Sequence, residues 1–113
     1  MVRTLTMNQQ KEIPIACDLN ALASAERQRR RTLVHALAQA IVGRVELERG
    51  FELRVDSARL DLPALAEWIA LERRCCPFLH FRIELAAGDG PVTVALSGGD
   101  GVKDFLRAEM RLA

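Results

Sequence analysis

The stretch Val45-Glu46-Leu47-Glu48-Arg49-Gly50-Phe51-Glu52-Leu53-Arg54-Val55-Asp56 decides the fold class of this chain. Val45 and Leu47 alternate with polar residues before Glu48-Arg49-Gly50, and Phe51, Leu53 and Val55 alternate after it. A period of two on both sides of a glycine-containing turn predicts an antiparallel hairpin. The same grammar returns downstream, where Phe81, Ile83 and Leu85 precede the turn Gly88-Asp89-Gly90 and Val92, Val94 and Leu96 follow it.

Working outward, each hairpin is preceded by a helical pattern. Ser24 is a candidate N-cap with Glu26 in the first turn, and Leu33, Val34, Leu37 and Ile41 recur at helical spacing up to Gly43. Asp61 and Pro63 open a second run through Leu65, Trp68, Ile69 and Glu72, and Pro77 ends it, which places Cys75 and Cys76 at a helix C-terminus. Beyond the glycine-rich break Ser97 to Gly101, the residues Val102, Phe105, Leu106 and Met110 mark one face of a closing helix. Ahead of the first helix, Ile13, Ile15 and Cys17 alternate as a half-buried strand would, with Cys17 turned to the core.

The reading is an α+β fold of order β-α-β-β-α-β-β-α, with an antiparallel sheet of about five strands and helices packed on one face. Residues 1–10 read as a flexible N-terminal leader and residues 11–113 as a single domain. Helix followed by hairpin occurs twice, an architectural repeat without a residue-level one.

Half of the 113 residues are apolar and 27% are charged, a balance that supports a packed core. Sixteen basic against fifteen acidic side chains leave a net charge of +1, which gives no field to steer nucleic acid or an anionic membrane. With four Phe, one Trp and no Tyr, a base-stacking platform is not expected either. No apolar run approaches a membrane span or a signal peptide. Three cysteines, two of them neighbours, make a poor disulfide framework, so the sequence points to the reducing cytoplasm.

The chemistry concentrates in Glu72-Arg73-Arg74-Cys75-Cys76-Pro77-Phe78-Leu79-His80. Glu72 lies three and four residues before the two cysteines, so its carboxylate can share a helix surface with both sulfurs. Vicinal thiols are soft ligands for Hg(II), As(III), Cu(I) or Zn(II), although a helix C-terminus raises a thiol pKa and works against an activated nucleophile. Set against that is the reading of Cys75 and Cys76 as small buried fillers, which carries even weight. Cys17 and His80 are further candidate ligands; His80 is read more readily as an exposed strand residue, and His35 as structural. The run Arg27 to Arg31 reads as a solvated face rather than a phosphate site, and Ser97 to Gly101 as a strand-to-helix turn. No catalytic triad, dinucleotide fingerprint or carboxylate pair is present, so any enzyme reading would rest on a cysteine nucleophile.

Ala64 to Leu106, with Glu72, Cys75-Cys76-Pro77-Phe78, Phe81 and Gly101-Val102-Lys103-Asp104-Phe105-Leu106, resembles a family of small bacterial proteins of unassigned activity marked by Glu-x-x-Cys-Cys-Pro-Phe. Ile15-Ala16-Cys17-Asp18-Leu19 also fits that pattern. The resemblance implies an association with heavy-metal, and specifically mercury, handling, and implicates Glu72, Cys75, Cys76 and Cys17. The leading expectation is therefore a non-catalytic cytoplasmic domain that binds a soft metal or metalloid ion (Hg, As or Zn) through the cysteine pair. The alternative is a protein-interaction or dimerisation module in which the cysteines are structural. A homodimer is expected in either case, because five strands covered on one side leave an apolar face or edge.

Overall fold

A computed structural model describes residues 15–109. A 3-10 turn at Leu19–Ala21 leads into α1 (Ser24–Ala40), β1 (Ile41–Leu47), β2 (Gly50–Val55), α2 (Leu62–Cys75), β3 (His80–Leu85), β4 (Val92–Ser97) and α3 (Val102–Glu109). The α+β class, the two hairpins and the three helices agree with the sequence pattern. The leader and Ile13 fall outside the described residues, as does Met110.

Among the described residues four strands form the sheet, not five, in the order β1-β2-β4-β3 with every neighbour antiparallel. Among the described residues the expected first strand does not form: Ile15 lies in a bend, Cys17 follows it in irregular chain, and Asp18 caps the 3-10 turn by accepting from the Asn20 amide at 3.1 Å. An Asx cap of this kind competes with extended pairing and wins here. The second correction is at the end of α1. The helix stops at Ala40, because Ile41 pairs opposite Val55 and the Asp56 amide donates to Ala40 O at 2.8 Å, while an irregularity between Ile41 and Gly43 absorbs the change of direction.

The two helix-hairpin halves meet at the centre of the sheet, where β2 and β4 pair from Gly50–Ser97 to Val55–Val92. On one face Phe51, Leu53 and Val55 stand opposite Leu96, Val94 and Val92, and all six are buried. The helices cover this face: Leu33 and Leu37 of α1, Leu65, Trp68 and Leu71 of α2, and Val102 and Leu106 of α3 join the strand residues in one core cluster. Trp68 meets Phe81 edge-on at 5.8 Å, and Lys103 and Arg107 of α3 lie over the Phe51 ring. Gly50 cannot be replaced without cost, since a Cβ there would sit 1.9 Å from Leu96 O.

The opposite face carries His80, Arg82 and Glu84 of β3, Glu52 and Arg54 of β2, and Thr93 and Ser97 of β4. It is polar over β2, β3 and β4, while on β1 it carries Val45, opposite Glu52 and 52% exposed, and Leu47, opposite Gly50. Exposed apolar side chains lie at both sheet edges, Val42 and Val45 on β1 and, on the helix side of β3, Ile83 and Leu85.

Candidate functional site at the end of helix α2

Helix α2 is defined by its termini. Asp61 caps it by accepting from the Ala64 amide at 2.9 Å, Pro63 occupies the first turn, and Cys76 is the C-cap, its amide donating to Glu72 O at 2.7 Å before Pro77 turns the chain away. Leu65, Trp68, Leu71, Glu72 and Cys75 form the buried face. A carboxylate thus stands in an apolar stripe one turn before a buried thiol.

Glu72 is satisfied from α1. Arg30 Nε donates to Glu72 Oε2, and Arg30 Nη2 donates to Oε1 at 3.3 Å, a two-point pairing across the helix interface. The Cys75 thiol reaches the same carboxylate, with Sγ 3.8 Å from Glu72 Oε2, and lies 3.7 Å from Cys76 Sγ. One donor atom each from Glu72, Cys75 and Cys76 falls within 4.8 Å of the others, and all three residues are buried.

The structure changes the state of the thiols that the sequence suggested. Cys17 and Cys76 are joined in a disulfide with a Cα–Cα distance of 4.6 Å, and Cys75 is the free cysteine. The bend at Ile15–Cys17 is docked on the end of α2 by the Asp18 amide, which donates to Cys75 O at 2.7 Å. That contact carries Cys17 to its partner. Cys17 is accordingly held against the core by a bond rather than by strand alternation, and the expectation of a chain without a disulfide is corrected. In this oxidised state Cys75 alone offers a thiol.

Burial pushes the Cys75 thiol up, the Glu72 carboxylate adds to the rise, and Arg30 opposes it. Folding therefore favours the protonated thiol. The associated stability is fully present below the unfolded-state thiol pKa and is lost as pH rises through the folded one. Alkylation of native protein should accordingly leave Cys75 unmodified at neutral pH, with labelling growing only above the ordinary thiol range. Mass spectrometry after iodoacetamide pulses across pH measures this, and rapid labelling at pH 7 would show an activated thiolate instead.

The other candidates are placed as follows. His80 starts β3 exposed on the polar face, outside the Glu72–Cys75–Cys76 group, and His35 is an exposed residue of α1. The arginine run is engaged within the chain: Arg27 donates to Leu22 O, Arg29 pairs with Glu67, and Arg30 with Glu72. Arg74 pairs with Glu26 at the other end of the same helix interface. Ser97 to Gly101 is the turn from β4 to α3, with Gly101 in the left-handed region at φ +91°.

A cavity of about 680 Å³ opens beside the site. Its walls are apolar, formed by Ile15, Leu19, Val34, Leu37, Leu79 and Phe105 among others, and Arg30, Glu72 and Cys17 reach it. Cys17 is half-buried and Cys76 fully buried, so Cys17 is the more exposed half of the disulfide. No helix of the described residues is long and apolar enough to cross a membrane.

Comparison with protein-family models, curated proteins and solved structures finds no match to this chain.

Proposed function

We propose that the protein binds one soft metal or metalloid ion through Cys75 and Cys76 beside Glu72, in the cytoplasm, after a dithiol reductant has opened Cys17–Cys76. The observation that supports this reading is the convergence of three buried donors within 4.8 Å. Opening the bond is a two-electron step: the reductant is oxidised to its own disulfide, and Cys17 and Cys76 become thiols. Attack at Cys17, the more exposed residue of the pair, releases Cys76 next to Cys75.

Charge selects the ion. The Arg30–Glu72 pair is neutral as a unit, so a buried complex is cheapest when the ion and its thiolates also sum to zero. Hg(II) with the thiolates of Cys75 and Cys76 satisfies that, and its preference for sulfur displaces both protons despite the raised Cys75 pKa. As(III) needs a third thiolate, which only Cys17 can supply. Zn(II) would lack the further ligands of a closed tetrahedral site. The resemblance to proteins linked with mercury handling points the same way.

Metal titration followed by thiol counting and ultraviolet thiolate-to-metal absorption tests this. Oxidised protein should take up no stoichiometric Hg(II), and reduced protein one equivalent. Cys17→Ser should bind one equivalent without any reductant, because Cys76 is already free, but should lose As(III). Cys75→Ser and Cys76→Ser should lose the tight site. Absence of uptake by both reduced protein and Cys17→Ser would leave the cysteines as packing and cross-linking residues.

A further inference from the structure

We infer that two copies of the chain pair through the exposed edge of β3, across a two-fold axis at Ile83, to form one continuous eight-stranded sheet. Among the described residues, β3 pairs on one side only, with β4. The sheet has two edges, and they differ. β1 is blunted by the irregularity between Ile41 and Gly43, and its helix-side positions Arg44 and Glu46 are charged, with Glu46 held by Lys103 and Arg107. β3 runs from His80 to Leu85 in unbroken register with β4 and has none of these features.

The occupant is identified by the strand's own pattern. Phe81, Ile83 and Leu85 share the helix-side face, and Ile83 and Leu85 are 38% and 54% exposed. Arg82 and Glu84 share the polar face. An antiparallel two-fold pairing must place residues of one face opposite residues of the same face, which restricts the axis to a residue position. Centred on Arg82 it would set Arg82 against its own copy, and centred on Glu84 it would set Glu84 against its own copy. Centred on Ile83 it sets Arg82 opposite Glu84 twice, Phe81 opposite Leu85 twice, and Ile83 on Ile83. Only that register is complementary in charge, and it also covers the two exposed apolar side chains. Arg82 otherwise has Glu52 at 3.9 Å, a loose contact that leaves its guanidinium available. This pairing does not depend on the metal-site reading, since the interface uses neither Glu72 nor any cysteine.

Sedimentation of the full oxidised chain over a concentration series reads the result. Wild type should be a dimer at tens of micromolar. Glu84→Arg and Arg82→Glu each convert both attractive pairs to like-charge pairs and should weaken association by roughly tenfold or more. An equimolar mixture of the two variants should recover a heterodimer, because each strand then meets its complement. Circular dichroism confirms that each variant is folded. Should either fail to fold, hydrogen exchange of wild type decides alone: the β3 amides turned away from β4 should be protected at high concentration and lose protection on dilution. A monomeric wild type, single variants that associate as wild type does, a mixture no tighter than its components, or dilution-independent β3 exchange would each overturn the pairing.

Discussion

Reduction of Cys17–Cys76 should lower the stability of the fold by about 4 kcal/mol near room temperature. The bond closes a sequence separation of 59 residues, and the entropy it removes from the unfolded chain grows with the logarithm of that length. Nothing of comparable strength replaces it on the Cys17 side, where Ile15 and Leu19 are exposed and the links to α2 are hydrogen bonds, from the Asp18 amide to Cys75 O and from Arg74 Nη2 to Ala21 O. Urea unfolding with and without dithiothreitol measures the loss, and Cys17→Ser in the absence of reductant should reproduce it. Bound Hg(II) should then offset much of the deficit in reduced protein, since a ligand at about a thousandfold its Kd contributes about 4 kcal/mol, less whatever it gains from unfolded thiols. A loss below about 1 kcal/mol on reduction would mean that the unfolded chain is little constrained by the bond.

Arg30→Met should cost about 3 kcal/mol, the lower end of what is seen when one partner of a buried pair is removed. The Glu72 side chain is 3% exposed and the Arg30 side chain 21%, so the carboxylate loses its counter-charge in a place that water barely reaches. The partial exposure of Arg30 is why the lower end is expected. Removing both charges in Arg30→Met/Glu72→Leu should recover most of the stability, because the penalty comes from the orphaned carboxylate rather than from loss of attraction. Arg29→Met, which breaks the exposed pair with Glu67, should be nearly silent in the same denaturation assay. A double variant as unstable as Arg30→Met alone would show that the pair contributes packing rather than charge compensation.

The hairpins were legible because their alternation is local: Val45 to Val55 and Phe81 to Leu96 state their period within a few residues of a turn. The limits of α2 were legible for the same reason, through Asp61, Pro63 and Pro77. At Ile41 the helical spacing of Leu33, Val34 and Leu37 ran on by one position, and a long-range pairing with Val55 overrode it. At Ile15 and Cys17 two alternations cannot distinguish a strand from the chain leading into a capped turn. The disulfide follows from the path of the chain over α2, which no spacing encodes. The Arg30–Glu72 pair has a signal in the helical stripes. Arg30 extends the stripe of Leu33 and Leu37, and Glu72 that of Leu65 and Trp68, so each helix puts one charge on its buried face, and the two signs match.

The segment Ile15–Cys17 serves as a wall of the apolar cavity, and the disulfide fixes that wall to the end of α2. Occupancy of the cavity and the redox state of the chain are therefore thermodynamically linked. A molecule that packs better against the fixed wall than against a released one makes the disulfide harder to reduce, and reduction weakens its binding by the same factor. The midpoint potential of Cys17–Cys76 is thus a reporter of what fills the cavity, readable by redox titration before any ligand is known.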